Sequence, residues 1–335
     1  MDFHRGKQSI LFPNRPAITS WASVVGKKEA DGPLGRRFDR IAPDGHLGEK
    51  TWEQAETRLQ QTALELLLEK AGLSKEQLDL VFSGDLLNQC VGSSYALRRT
   101  GLPALGLYGA CSTMAEGLLL AGASVNAGYV SHAAALSSSH FAAAERQYRF
   151  PLAYGGQRTP TAQWTVTGAG AVLTARCGRG PVLTGATVGT VEDKGITDAN
   201  NMGAAMAWAA YCSIRTHLED LKLAPEDYDL IVTGDLGRLG SDIVRECFAR
   251  DGVQLGERYA DCGLRIYDLD RQDVHCGGSG AGCSASVLAA ELLPGLEAGR
   301  WKRLLFCGTG ALLSPATVQQ KRSIPAVCHC VAIEN

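Results

Sequence analysis

Two stretches of this sequence repeat each other: LSKEQLDLVFSGDL at residues 73–86 and LAPEDYDLIVTGDL at residues 223–236. They lie at an offset of 150, align without a gap, and share seven of 14 positions. Each runs through a short apolar segment, which is typical of a buried strand, into a Gly-Asp turn. A match of this length and quality indicates an internally duplicated chain.

Each copy of the repeat follows a long helix. In the first copy the helix begins near Thr51, where Thr51-Trp52-Glu53-Gln54 resembles a capping box, and it ends at Gly72. In the second copy, residues 205–221 take the same place. Because helices alternate with short apolar strands, we predict an α/β fold with mixed sheets in two related halves.

A glycine-rich turn and a second helix follow in each half. In the first half, Tyr108-Gly109-Ala110 leads into a helix predicted from Cys111 to about Ala127. In the second half, the turn covers residues 275–282 and the helix begins at Cys283. The same order of a glycine-rich turn and a helix in both halves extends the duplication beyond the quoted repeat.

The duplication suggests boundaries for the two halves. We assign residues 1–178 to an N-terminal half and residues 179–335 to a C-terminal half. Loop 26–50 and the insertion 140–164 lie outside the repeat. Long loops on a compact scaffold carry function or form interfaces, and the sequence leaves both interpretations open.

Composition excludes several classes of protein. Hydrophobic residues make up 45% and charged residues 20%, as in globular chains. The net charge of −2, without a basic run, argues against a nucleic-acid partner. The most apolar stretch, about 102–136, is too broken by polar residues to span a membrane, and we expect no signal peptide. The 11 scattered cysteines favour a reducing, intracellular compartment over a disulfide framework.

Four motifs, in this order, resemble the thiolase and ketoacyl synthase superfamily. They are Gly109-Ala110-Cys111-Ser112-Thr113, TGAGAVL at 167–173, His275-Cys276-Gly277-Gly278-Ser279-Gly280 and Cys307-Gly308-Thr309-Gly310. The resemblance implies an internally duplicated five-layer fold that usually forms a homodimer. It also implies a nucleophile at Cys111, with His275 and Cys307 as its partners.

A closer resemblance, nearly end to end, is to the family of stage V sporulation protein AD of spore-forming bacteria. It is carried by VVGKKE at 24–29, GPLG at 32–35, TWEQAE at 51–56 and Asp273-Val274-His275. The resemblance implies a thiolase that has become a binding protein for dipicolinic acid, as its calcium chelate, and that supports uptake of this ligand into the developing spore. It also implies partners among the membrane proteins of the same operon, a peripheral position at the spore inner membrane, and no cofactor beyond calcium brought by the ligand.

Cys111 is the central candidate residue. A cysteine at the start of a helix meets free backbone N–H groups and the positive end of the helix dipole, which lower the pKa of a thiol and attract anions. The same geometry serves an acyl-accepting nucleophile with an oxyanion hole, or a site that holds a carboxylate. A small buried core cysteine is the third interpretation.

Four further residues complete the predicted ligand site. His275 would act as an acid/base or donate a hydrogen bond to a carboxylate. Cys307, with Gly308 beside it, would move a proton or remain an inert strand residue. Asp261, in a polar turn, would supply an oxygen to the calcium of a chelate, although Asp is also a common turn former.

Two departures argue against thiolase chemistry. Asp235 stands where thiolases have Asn-Glu and type III synthases have a His-containing motif, and an Asp would repel a developing enolate. Cys276 follows His275 where thiolases have Pro. The sequence therefore favours a non-catalytic binding protein. A Cys-dependent acyltransferase or ketoacyl synthase acting on acyl thioesters is the alternative, and a scaffold for membrane partners is a third hypothesis.

Overall fold

The computed structural model of the protein describes residues 3–148 and 158–335. Residues 149–157, which belong to the insertion at 140–164, lie outside the described residues. Within the described ranges, no helix is both long and apolar enough to cross a bilayer.

The framework consists of two sets of five strands with the same order, and further short strands lie beside them. The strands are β1 His4–Arg5, β2 Ser9–Leu11, β3 Ala17–Val25, β4 Arg40–Ile41, β5 Leu80–Gly84, β6 Ala104–Leu107, β7 His132–Ser139, β8 Trp164–Thr165, β9 Gly168–Ala175, β10 Val182–Thr187, β11 Leu230–Thr233, β12 Tyr259–Asp261, β13 Gly278–Ser279, β14 Arg303–Ala311 and β15 Ala326–Glu334. The first set has the order β3-β9-β7-β5-β6 and the second β10-β15-β14-β11-β12. One residue pairing, Val182 with Ala17, joins β10 to β3 and thereby links the two sets.

The strand directions repeat as well. In the first set, β9 is antiparallel to both β3 and β7, whereas β7, β5 and β6 run parallel. In the second set, β15 is antiparallel to both β10 and β14, whereas β14, β11 and β12 run parallel. This common topology explains why the apolar segments of the sequence repeat recur at the same place in each half.

Helices occupy three layers around the strands. The helices are α1 Lys27–Ala30, α2 Trp52–Ala71, α3 Val91–Leu97, α4 Thr113–Asn126, α5 Phe141–Tyr148, α6 Met202–Leu221, α7 Gly237–Arg250, α8 Cys262–Arg265, α9 Ala281–Val287, α10 Leu293–Glu297 and α11 Pro315–Gln319. Helices α2 and α3 cover the outer face of the first set, α6 and α7 cover the second, and α4 and α9 lie between the sets. The resulting α-β-α-β-α arrangement confirms the predicted five-layer fold class.

The ends of the long helices follow from local chemistry. The Thr51 hydroxyl accepts a hydrogen bond from the Gln54 N–H at 3.2 Å, which confirms the predicted start of α2. Gly72, with a φ of 64°, ends this helix in the left-handed conformation that glycine adopts at little cost. Helix α6 begins three residues earlier than predicted, because the Asn201 side chain caps it by accepting from the Ala204 N–H.

The duplication extends to hydrogen bonds at the strand starts. The Asp79 carboxylate accepts from the backbone N–H groups of residues 131 and 132, at 2.7 and 2.9 Å. At the offset of 150, the Asp229 carboxylate accepts from the N–H groups of residues 302 and 303, at 2.7 and 3.0 Å. Each Asp thus ties its own strand to the neighbouring parallel strand, which gives the two repeated residues the same structural role.

The layers bring three loops together between the two sheets. The turn before α4 contacts both β14 and α9, while β11 delivers its carboxyl end to the same place. Ligand sites in α/β folds commonly form at the carboxyl ends of parallel strands. Segments 109–112, 234–237 and 278–280 therefore meet, and the site that they form draws on both halves of the chain.

Candidate functional site

Cys111 lies in a single 3₁₀ turn, Ala110–Ser112, directly ahead of α4. The turn is held by the Ser112 hydroxyl, which donates to the Gly109 carbonyl oxygen at 2.6 Å. Cys111 thus stands at the start of the helix, close to the position predicted from the sequence. Its side chain is buried, with 6% of the residue exposed.

Asp235 faces Cys111 from the end of β11. Its carboxylate accepts hydrogen bonds from the Gly280 N–H at 2.8 Å, the Thr309 hydroxyl at 2.8 Å and the Ser279 hydroxyl at 3.3 Å. The Cys111 thiol lies beside the same carboxylate and interacts with it. Residues from both halves therefore converge on one buried carboxyl group.

Burial raises the pKa of the Cys111 thiol well above its usual value, and the neighbouring Asp235 raises it further. The sequence predicted the opposite direction from the helix dipole. Desolvation outweighs the dipole because the thiol is buried and lies against a carboxylate. Burial also raises the pKa of Asp235, although hydrogen bonds from Cys111 and Gly280 act against this rise. Cys111 is consequently a neutral hydrogen-bond donor and a weak nucleophile.

A half-open cavity of about 50 Å³ lies above Cys111. It exceeds the roughly 10–15 Å³ that one water molecule requires. Apolar side chains of Leu86, Met202 and Leu313 form much of its wall, together with the ring of Tyr148. The Tyr148 hydroxyl donates to the Leu86 carbonyl oxygen at 2.5 Å, which fixes the ring at the edge of the cavity.

The polar groups of the cavity are few: one carboxyl group and two aliphatic hydroxyls. Glu145 and Thr165 lie in its wall, and Ser279 lies at its floor beside Cys111. The Thr165 hydroxyl donates to the Glu145 carboxylate at 3.0 Å. Among the lining residues that the structure describes, none is a lysine, an arginine or a histidine.

His275 lies outside this cavity, near the surface, and 27% of its side chain is exposed. Its Nδ1 is 2.6 Å from the Thr159 carbonyl oxygen, and its Nε2 is 3.0 Å from the Asp273 carboxylate. The fold therefore does not pair His275 with Cys111 as the sequence motif suggested. The chain reaches the thiol four residues later, so that Ser279 and Gly280 approach Cys111 instead.

Asp261 is buried beneath the Asp235 turn and does not line the cavity. Its carboxylate accepts from the Thr233 hydroxyl at 2.8 Å and from the N–H groups of Leu236 and Gly237 at 2.8 and 3.0 Å. Burial raises the pKa of Asp261 to about 7. These hydrogen bonds occupy both carboxylate oxygens of Asp261. Its position therefore suits a structural role in holding the turn, rather than the expected contact with calcium.

No group of three or more His, Cys, Asp and Glu side chains is placed to hold a metal ion in the part of the chain that the structure describes.

Cys307 and Gly308 occupy opposite faces of β14, and neither lines the cavity. Cys307 is fully buried in the hydrophobic cluster around α6, with its thiol against those of Cys328 and Cys330. Gly308 faces α4, where a Cβ atom would lie 2.5 Å from the Ala115 Cβ. The alternation of side chains along a strand therefore separates the expected second cysteine from Cys111.

Four residues of the site were not predicted from the sequence: Ser279, Thr309, Glu145 and Tyr148. Ser279 stands inside the glycine-rich motif that was quoted for its histidine, so a signal for it was present. Glu145 and Tyr148 belong to the insertion 140–164, whose length alone indicated a role. Thr309 gave no separate signal, because its contact with Asp235 arises only when β11 and β14 lie side by side.

Solved structures of other proteins share the fold of this chain. The 3-oxoacyl-[acyl-carrier-protein] synthase III of Aquifex aeolicus VF5 matches with a TM-score of 0.61 and 14% identity, over 96% of this chain and 100% of that chain. A variant of OleA from Xanthomonas campestris matches with a TM-score of 0.62 and 16% identity, over 97% of this chain and 99% of that chain. At these identities the likeness concerns the fold alone.

Sequence comparison identifies a much nearer relative. Stage V sporulation protein AD of Bacillus subtilis (strain 168) is 45% identical over 330 residues, which cover 98% of this chain and 97% of that protein. The sequence profile of the stage V sporulation protein AD family matches residues 6–334. The chain therefore belongs to the stage V sporulation protein AD family and has the thiolase-like fold that its sequence predicted.

Proposed function

We propose that this protein binds dipicolinic acid, carried as its calcium chelate, in the Cys111 cavity and supports uptake of that ligand into the developing spore. The family resemblance described above implies the ligand. The observation that carries the proposal is the cavity itself: apolar walls, a neutral thiol at the floor, two hydroxyls and one carboxyl group. The chemical character of these walls matches an aromatic ring that brings its own positive charge, and binding requires the cavity to open beyond its about 50 Å³, since ligand sites commonly enclose about 300–1,000 Å³.

The walls supply contacts for the ring. Leu86 and Met202 offer apolar surface, and Tyr148 offers an aromatic ring at the edge. The Cys111 sulfur is polarisable and packs favourably against an aromatic face. The Ser279 hydroxyl, beside Cys111, is the polar group at the floor that a ligand carboxylate would meet.

The charge of the cavity favours the chelate over the free acid. Dipicolinate is a dianion near neutral pH, whereas its one-to-one calcium chelate is neutral. The buried Asp235 carboxyl group, behind the floor, would disfavour the dianion. The chelate avoids this repulsion, and the Glu145 carboxylate offers the type of oxygen ligand that calcium prefers.

The state of Cys111 argues against the acyltransferase alternative. A nucleophilic cysteine needs a lowered pKa or an adjacent base. Here the pKa of the thiol is raised by burial and by Asp235, and His275 lies outside the cavity. Incubation with acyl-CoA thioesters is therefore expected to leave Cys111 unmodified by intact-mass and peptide spectrometry. Turnover or an acyl adduct on Cys111 would favour the enzyme instead.

Titration calorimetry tests the binding function. We expect saturable binding of calcium dipicolinate, and weaker binding of dipicolinate in a calcium chelator. Cys111→Ala should weaken binding roughly two- to tenfold, because a sulfur–ring contact contributes about 0.3–1.5 kcal/mol. Cys307→Ala is the matched control, since it removes a buried thiol outside the cavity, and it should bind like the parent protein. Absence of saturable heat with both forms of the ligand would contradict the proposal.

We further propose that membrane proteins of the same operon hold this protein at the spore inner membrane. Fractionation of sporulating cells tests this proposal. The protein should sediment with the inner membrane, and it should leave that fraction when the membrane proteins of the operon are deleted. Retention in the membrane fraction after the deletion would contradict it.

A further inference from the structure

The wall of the Cys111 cavity must move before a ring ligand can reach the thiol. The cavity encloses about 50 Å³, whereas sites for small molecules commonly enclose about 300–1,000 Å³. Several elements of the fold contribute to the wall, and they are held in different ways. Their contacts identify the part that moves most readily.

Much of the wall is fixed by the interior of the protein. Met202 and Leu313 pack against the hydrophobic cluster around α6. Leu86 belongs to the turn after β5, where the buried Asp85 carboxylate accepts a hydrogen bond from the Leu87 N–H at 2.9 Å. These residues cannot move without disturbing close packing or buried hydrogen bonds, and both changes are costly.

Helix α5 forms another side of the cavity, and its amino-terminal end is anchored. The Phe141 ring stacks on Trp164, with the ring centroids 3.9 Å apart. The Phe141 N–H donates to the Thr167 hydroxyl at 3.1 Å. Ala143 and Ala144, in the middle of the helix, are buried. This end of α5 therefore stays against β8.

The carboxyl-terminal end of α5 is held chiefly by three hydrogen bonds to the turn at 86–88. The Tyr148 hydroxyl donates to the Leu86 carbonyl oxygen at 2.5 Å, and the Gln147 Nε2 donates to the same oxygen at 3.1 Å. The Gln147 Oε1 accepts from the Asn88 N–H at 3.0 Å. Together these bonds fasten the Tyr148 ring over the edge of the cavity.

Water can replace these contacts when they separate. Asn88 is exposed, and Gln147 and Tyr148 are half-buried. The ion pair between Arg146 and Glu53 also joins this end of α5 to its surroundings, but it lies near the surface, where such pairs stabilise little. The hydrophobic cluster against which Tyr148 packs has only four buried residues. Opening this end of α5 therefore costs less than moving the other walls.

We infer that Tyr148 is the gate of the Cys111 cavity. Its ring closes the cavity while its hydroxyl and the Gln147 amide fasten α5 to the turn at 86–88. The ligand enters when these hydrogen bonds separate and the end of α5 turns outward on its anchored amino-terminal end. The gate controls access to the site of the proposed function, on which the identity of its ligand rests.

The alkylation rate of Cys111 measures opening of the gate without any ligand. During prolonged treatment of the full-length protein with iodoacetamide, a buried thiol reacts only while its cavity is open, so that its rate follows the open fraction. Tyr148→Phe keeps the ring and loses the hydroxyl. Cys111 should then react about two- to tenfold faster, the factor that corresponds to one hydrogen bond. Gln147→Ala should act in the same direction, and peptide mass spectrometry gives both rates.

Three controls distinguish opening of the gate from loss of the fold. Cys177 is exposed and reports the reactivity of the reagent. Cys307 is a buried thiol outside the cavity and reports global unfolding. Both should react in the variants as in the parent protein. Tyr211→Phe also loses a tyrosine hydrogen bond of 2.5 Å, to Asp251, but away from the cavity, and it should leave the Cys111 rate unchanged.

Stopped-flow mixing with calcium dipicolinate, followed by the intrinsic fluorescence of the protein, tests the gate with a ligand. Gln147 does not line the cavity, so its replacement removes no wall contact. Because the ligand enters through the open state, Gln147→Ala should raise the association rate constant by about the same factor as the Cys111 alkylation rate.

The outcomes separate the gate from the binding function. An unchanged Cys111 rate in the folded variants, an equal acceleration at Cys307, or an unchanged association rate in Gln147→Ala would overturn the gate and leave the binding function standing. Absence of saturable binding of calcium dipicolinate by the parent protein would overturn the binding function, whereas the alkylation rates would still decide whether Tyr148 closes the cavity.

Discussion

The interaction between the Cys111 thiol and the Asp235 carboxyl group sets the chemistry at the floor of the cavity. A buried carboxylate beside a buried thiol keeps the proton on sulfur, because desolvation and like charge both oppose a thiolate. The thiolase-like position of the cysteine is thus retained while its nucleophilic character is suppressed. At the scale of single residues, this pair disfavours thiolate chemistry, as the proposed binding function requires.

The suppressed thiol predicts slow alkylation of Cys111. Brief treatment of the native protein with iodoacetamide near neutral pH should label Cys177, which is exposed, at least tenfold faster than Cys111, because only accessible thiolates react quickly. Peptide mass spectrometry at successive times measures both sites in one sample. Preferential labelling of Cys111 would indicate an activated thiol and would revive the acyltransferase hypothesis.

Because the Asp261 carboxylate holds the turn after β11, replacing it should lower the free energy of unfolding. In Asp261→Asn, an amide NH₂ would face a donor, the N–H of Leu236 or of Gly237, and leave a buried group unsatisfied. We expect a loss of about 1–3 kcal/mol in the free energy of unfolding, measured by urea denaturation. A change within 0.5 kcal/mol would mean that the turn does not depend on this carboxylate.

The same residue predicts a pH dependence of stability. The pKa of Asp261 is raised to about 7 in the fold, above the unfolded value of about 3.9. Its contribution is fully present below the unfolded pKa and is lost as pH rises through about 7. The variant Asp261→Asn should lack this component when the free energy of unfolding is measured between pH 4 and pH 8.

Among the elements, β14 decides how closely the two halves meet. Its glycines at 308 and 310 face the turn before α4, where a Cβ on Gly310 would lie 2.5 Å from the Gly109 carbonyl oxygen. The other face carries Thr309, whose hydroxyl reaches Asp235. The strand thus packs against the Cys111 turn with one face and holds the carboxyl group with the other.

Because β14 packs closely against α4, adding a single methyl group at Gly308 should destabilise the fold. In Gly308→Ala, the added Cβ would lie 2.5 Å from the Ala115 Cβ, so that the strand or α4 must shift. We expect a loss of about 1–3 kcal/mol in the free energy of unfolding, as for other overpacked cores. Gly45→Ala is the control, because its Cβ would meet only the Trp52 ring at 3.5 Å. Equal stability of both variants would contradict this account of the approach.

At the scale of the whole molecule, β6 leaves one edge of the framework open. Among the described strands it pairs with β5 alone. Leu105 in this strand is 53% exposed, and nearby Tyr95 and Tyr108 are 50% and 51% exposed. An uncharged strand with unpaired backbone groups and exposed apolar side chains is suited to pairing with another strand. A second copy of the chain satisfies it when the two β6 strands run antiparallel about a two-fold axis.

The family resemblance implies a homodimer, and we predict that this dimer forms through β6. The parent protein should sediment as a dimer in analytical ultracentrifugation, and Leu105→Lys should shift it toward the monomer by placing like charges across the axis. Val191→Lys, at a position 63% exposed elsewhere on the surface, should leave the dimer intact. If the parent protein sediments as a monomer, the prediction of a dimer is wrong.

The sequence alone determined the duplicated α/β arrangement of this protein and both ends of α2. The repeat at 73–86 and 223–236 marks equivalent strands, and Thr51 and Gly72 bound α2, because strand periodicity, helix caps and glycine turns are local properties of the chain. Resemblance to known families then predicted the fold and the family.

Only the tertiary structure decided which residues meet Cys111. The sequence offered His275, Asp261, Cys307 and Gly308, whereas the fold brings Asp235, Ser279 and Glu145 to the thiol or its cavity. These contacts cross between halves and depend on the distance between two sheets and on the face that each strand turns inward. Such distances are set by the packing of side chains along whole elements, and no pattern within a single loop contains them.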